Sequence, residues 1–94
     1  MNNCLIVGKV AEIKRGDNAN YIIVSVIRPF KDDEVDNERD LITCQLSKNM
    51  AKNSLIYLEV GDVVGVKGWL KNVNVDTVVV ADKLTFLSSM RNEE

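Results

Sequence analysis

Trp69 stands between Lys67 and Lys71, and Phe30 lies between Arg28-Pro29 and Lys31. A flat side chain flanked by cations can stack on another planar group while its neighbours attract negative charge. On a strand of period two, Lys67, Trp69 and Lys71 share one face, and Gly68 and Leu70 share the other. Phe30 is a poor core residue, because proline precedes it and a charged run follows. Lys9, Lys14 and Arg15 gather around the first turn, and Lys48 and Lys52 lie four apart in a helical stretch. These side chains are the candidates for stacking and for holding anions, with Trp69 reading equally as a contact between protein subunits. Tyr21 is a weaker stacking candidate, while Tyr57 and Phe86 are expected to pack in the core.

Other chemistries lack their parts. The 94 residues include no histidine, the commonest general base. Cys4 and Cys44 have no partners with which to form a metal site, and no glycine-rich loop cradles a phosphate. No enzyme activity, cofactor or metal is expected. The two cysteines sit in apolar runs and are expected to be free thiols, although spacing alone leaves a disulfide open.

Net charge is −2, but the acids are not evenly spread. Six carboxylates and one guanidinium fall between Asp32 and Asp40, which leaves the rest of the chain mildly basic. This acidic stretch reads either as a solubilising loop that also blunts a sheet edge, or as a segment that competes with phosphates or docks a basic partner.

The surrounding pattern is that of an all-β protein. Residues 4–13 form an apolar, β-branched run with Gly8 in its middle, where a bulge or sharp bend is expected. Residues 14–20 are polar and contain Gly16-Asp17-Asn18, a turn. Strands follow over 21–27, stopped by Arg28-Pro29, and over 39–46, with Ile42, Cys44 and Leu46 on one face. The stretch 47–58 is the helical candidate: Ser47 caps it, Ala51, Leu55 and Leu58 form its apolar stripe, and Gly61 follows its end. Strands over 63–73 and 77–87, joined by a tight 74–76 connection, complete the chain. Three strands, a short helix and two strands is the element order of a five-stranded OB-fold barrel. Residues 1–88 are expected to form this one domain, with 89–94 frayed.

Laid along that order, the sequence resembles the DNA-binding domain of the bacterial single-stranded DNA-binding protein family. The resemblance is carried by Asn2-Asn3-Cys4-Leu5-Ile6-Val7-Gly8-Lys9-Val10, by Val24 to Lys31, by Asp40 to Leu46, by Ala51 to Gly61 with its Tyr57-Leu58, by Val64-Gly65-Val66-Lys67-Gly68-Trp69-Leu70 and by Thr77 to Leu87. It spans about residues 2–88. Phe30 matches that family's ring at the end of the second strand. Leu41 and Ser47 stand where typical members carry further rings, and the last hairpin is short where theirs is a long basic loop. The likeness is to the OB-fold domain without the family's acidic-tipped tail.

The resemblance implies a non-catalytic protein of DNA replication, recombination or repair. It implies single-stranded DNA as ligand, and the side chains read here as candidates to bind it are Phe30, Trp69, Arg28, Lys31, Lys67, Lys71, Lys14, Arg15, Lys9, Lys48 and Lys52. It also implies a homodimer or homotetramer with first strands paired across a two-fold axis. A different class of function stays open: an OB-fold adaptor, similar to primosomal replication protein N, whose main partner is another replication protein. No apolar run reaches the ~18 residues that span a bilayer. The amino terminus lacks a signal-peptide pattern, so a cytoplasmic location without membrane association is expected.

Overall fold

Strand alternation decides what lies inside. In the computed structural model, which describes residues 1–28 and 38–89, β2 (Asn20–Ile27) turns Ile22 and Val24 fully inward. β3 (Arg39–Leu46) does the same with Cys44 and Leu46, and β4 (Asp62–Val73) with Val64 and Val66. Val10 of β1 (Cys4–Arg15) and Val79 and Ala81 of β5 (Asp76–Ser89) complete the barrel's filling. The strands close in the order β1-β2-β3-β5-β4, with β3 and β5 parallel and the other pairs antiparallel. This is a five-stranded OB-fold barrel with one short helix between β3 and β4, closed rather than partly open.

β1 serves two neighbours. Cys4 to Lys9 pair with β4, and Lys9 to Arg15 pair with β2. The expected irregularity is present but lies beyond Gly8, between Val10 and Glu12. Gly8 instead allows close approach, since a Cβ there would run into the Ser25 carbonyl oxygen. The Asn2 amide then acts as a short strand partner. Its Nδ2 donates to the Leu70 carbonyl, and its Oδ1 accepts the Leu70 N–H, both at 2.8 Å.

α1 covers Lys48–Ser54, ending earlier than the 47–58 stretch read from the sequence. Ser47 caps it by accepting the Met50 N–H, as expected. Asn53, Ser54 and the β-branched Ile56 are poor continuers of a helix. The chain leaves through a turn in which Ser54 accepts from both Tyr57 and Leu58. The stripe of Ala51, Leu55 and Leu58 still packs into the core. Gly61 takes a φ of 100° and donates its N–H to Val10 at 2.8 Å, fastening this exit to β1.

Phe86 departs from its expected core position. It is 42% exposed and meets Tyr57, itself half exposed, edge to face at 6.4 Å. Phe86 opposes Val64 next to a β4–β5 irregularity, where the alternation of the two strands is broken, and Tyr57 of the turn after α1 meets it there. Both cysteines are free. Among the described residues no helix is long and apolar enough to cross a membrane.

Candidate nucleic-acid interface

Consecutive residues at the end of β1 point to opposite sides, and this divides the cations into separate groups. Lys14 pairs across β2 with Tyr21. Both line an open groove of about 540 Å³, whose other walls are Leu41, Ile42 and Thr43 of β3 and Val73, Asp76, Thr77 and Val78 around the β4–β5 turn. That turn, Asn74-Val75, is tight because Asn74 accepts a φ of 60°, a left-handed conformation that asparagine tolerates better than most residues. Tyr21 is half-buried and is the one ring among the described residues lining the groove. Its position, one residue after a polar turn, gave little signal. The alternation of β3 was the signal for Leu41 and Thr43.

Lys71 and Trp69 extend this face. Directly opposed antiparallel residues share a side of the sheet. Lys71 opposes Val78, a groove wall, and Trp69 opposes Val80. Trp69 is 39% exposed, with Lys67 and Lys71 exposed on either side and Gly68 buried between, as alternation predicts. Lys67 lies farther along, opposite Lys83, beside a hollow bounded by Leu5, Val7 and Leu87.

The remaining candidates are distributed elsewhere. Lys9 is half-buried beside Ser25, Ile27 and Arg39, where Arg39 donates to Ser25 Oγ at 3.0 Å. Arg15, Lys48 and Lys52 face a different concavity beside α1. Arg28 is engaged by acids. Its Nη2 and Nε donate to Asp40 at 2.8 and 3.1 Å, and its Nη1 donates to Glu38. The guanidinium holds the Asp40 carboxyl below its ordinary value, chiefly through the hydrogen bond, and Asp40 raises the Arg28 pKa in return. Phe30, Lys31 and the acidic stretch from Asp32 to Asn37 lie outside the described residues.

The arrangement can seat a flexible polyanion with planar groups. One ring and aliphatic walls offer faces for stacking, and Lys14 and Lys71 supply charge at the margins. Asp76 puts a carboxylate on the hairpin wall, so anions are favoured on the β1 side. Among the described residues, no cluster of side chains could hold a metal ion.

No family model matches the chain. It is similar to Single-stranded DNA-binding protein 3 of Listeria innocua, 27% identical over 107 positions that cover 98% of this chain and 67% of that protein. Single-stranded DNA-binding protein B of Bacillus subtilis is 27% identical over 108 positions, covering 99% of this chain and 96% of that protein. Among solved structures, a mitochondrial single-stranded DNA-binding protein of S. cerevisiae superposes with a TM-score of 0.72 at 17% identity, covering 93% of this chain and 94% of that one. The dimeric N-terminal domain of PriB from Thermoanaerobacter tencongensis gives 0.66 at 23% identity, covering 94% and 98%. At these identities the superpositions speak for the fold.

Proposed function

We propose, from a kinship in sequence with the bacterial single-stranded DNA-binding proteins, that this chain holds single-stranded DNA without catalysing a reaction. The observation that carries the reading is the groove between β3 and the β4–β5 turn, with Tyr21 and Lys14 paired on its β1–β2 wall. Bases stack on Tyr21 and on Trp69 along the same face, joined by Phe30. Lys14, Lys71 and Lys67 take phosphates, with Lys31 and Lys9 as further contacts and Arg28 contributing where its acids release it. The protein acts in the cytoplasm, in replication, recombination or repair.

A homo-oligomer is part of this reading. From Cys4 to Gly8, β1 is paired with β4 alone, since β2 joins only at Lys9. Leu5 and Val7 are 70% and 49% exposed beside that open edge. A second β1 across a two-fold axis satisfies the backbone and covers both side chains.

The test is a fluorescence titration of oligo(dT) at several salt concentrations, read from Trp69, the single tryptophan. Binding that weakens with salt is expected, at a slope of ~0.7 per phosphate contacted. Absence of binding at low salt overturns the reading. A second reading, an adaptor for another replication protein, is favoured by the likeness to PriB and by the acids that occupy Arg28. Capture of a replication protein by a chain that ignores oligo(dT) selects it.

A further inference from the structure

Arg15, Lys48 and Lys52 surround a concavity of about 400 Å³ on the side of the β1–β2 hairpin away from the Lys14 groove. Its other walls are Asn20, Ala51, Leu55 and Ile56, and no carboxylate lines it. Arg15 is fixed there, because its Nη2 donates to the Leu55 carbonyl at the end of α1 at 2.9 Å. That bond uses one of five guanidinium donors and leaves the charge uncompensated. Lys48 and Lys52, four apart on α1, present their ammonium groups on one helix face. Among the described residues, no ion pair holds any of the three, in contrast to Arg28.

Three unpaired cations around one hollow repel each other and are favoured by a bound anion. We infer that this hollow is a second phosphate-binding site, taking the backbone of the same single strand after it leaves the groove. The connection is short in sequence. Lys14 faces the groove, Arg15 faces the hollow, and the partners of these two residues on β2 are Tyr21 and Asn20. A strand crossing the Gly16–Ala19 turn passes from one site to the other, so the hairpin end acts as a saddle. The hollow offers no ring, so it holds the strand by charge and not by stacking.

This inference rests on the proposed function, and its test separates the two. The Lys48→Gln/Lys52→Gln variant and the unaltered chain are titrated with oligo(dT) of ~6 and of ~30 nucleotides, one near the lower end of an OB-fold's usual site size and one well above it. The substitutions lie on the exposed face of α1, and circular dichroism confirms folding. The expected result is a loss on the long oligonucleotide of ~tenfold or more at low salt, with the salt slope reduced by ~1.4, the value for two phosphates. The loss on the short one is several-fold smaller. Equal losses at both lengths, or no loss on the long one, overturn the second site while leaving the groove standing. Inorganic triphosphate added as competitor should restore variant-like binding to the unaltered chain on the long oligonucleotide only. Competition equal at both lengths overturns the site. If the unaltered chain binds neither length, the proposed function falls, and this inference with it.

Discussion

The Arg28 guanidinium and the Asp40 carboxylate are joined by three donor–acceptor contacts of 2.8 to 3.1 Å, across the two ends of the 29–37 connection. A cation at the strand end that the sequence offers for phosphate binding is thus already occupied by carboxylates. The Asp40→Asn/Glu38→Gln variant should bind oligo(dT) more tightly, with a salt slope steeper by ~0.7 for one added phosphate contact. The pH behaviour has a definite sign. Because the Asp40 pKa is lowered, the pair persists above the ordinary carboxylate range and is lost only as pH falls through that lowered value. Titrations between pH 5 and 8 should therefore show no change attributable to this pair.

Tyr21→Leu should weaken oligo(dT) binding by about 1–3 kcal/mol if one base stacks on the ring, while Tyr21→Phe retains affinity. Phe30→Ala combined with Trp69→Ala should weaken it by well over ~tenfold. Tyrosine fluorescence or extrinsic-dye titration checks these variants, since Trp69→Ala removes the intrinsic tryptophan signal.

Gly8→Ala should destabilise the barrel by roughly 1–3 kcal/mol, because the new methyl meets a backbone carbonyl that cannot move without disturbing the β1–β2 ladder. Urea unfolding followed by far-ultraviolet circular dichroism measures the loss. A midpoint equal to that of the unaltered chain would show that the two strands separate freely there.

Burial pushes the Cys44 thiol up to about 12, with a smaller contribution from Cys4. A raised thiol pKa leaves stability intact below the ordinary value near 9 and erodes it as pH rises toward about 12, because the unfolded chain releases that proton first. Cys44 should react with thiol reagents only at the rate of opening, after Cys4. Mass spectrometry of a labelling time course resolves the order, and simultaneous labelling in the native state would contradict it.

Under the proposed pairing of two β1 edges, Val7→Lys places a charge at that contact and should shift the protein toward monomer. Sedimentation velocity reads the change. An unaltered sedimentation coefficient at equal concentration would move the interface elsewhere.

Much of the barrel was legible because period-two burial is written directly in residues such as Ile22, Val24, Val64 and Val66. The helix cap at Ser47 and the exit at Gly61 follow from local chemistry in the same way. Less visible was the fate of individual side chains at the margins. Nothing near Phe86 in sequence signals its exposure, because that depends on where the β4–β5 register breaks and on the turn after α1 that brings Tyr57 against it. The separation of Lys14 from Arg15 follows from alternation. The approach of Arg15 to α1 required the third dimension, as did the capture of Arg28 by Asp40. The place of Tyr21 in a groove was hidden for the same reason, since a groove exists only once β3 and the β4–β5 turn stand beside it.

Among the described residues β3 and β5 meet through two residue pairs, Cys44 with Val79 and Gln45 with Val80, whereas β4 and β5 share twelve. The sparse seam joins segments about 35 residues apart, while the β2–β3 and β4–β5 ladders on either side join strands that are consecutive in sequence. Closing it carries a larger loop entropy than forming the β4–β5 hairpin, although the β1–β4 pairing joins residues farther apart still. The seam is also where the cylinder opens at least cost in backbone bonds. Thr43 and Val78 place the groove directly over that line, so an occupant would bridge both sides like a stitch. Among Cys44, Gln45, Val79 and Val80, the amides that donate across this seam should then slow in exchange on binding more than the amides that donate within the β4–β5 ladder.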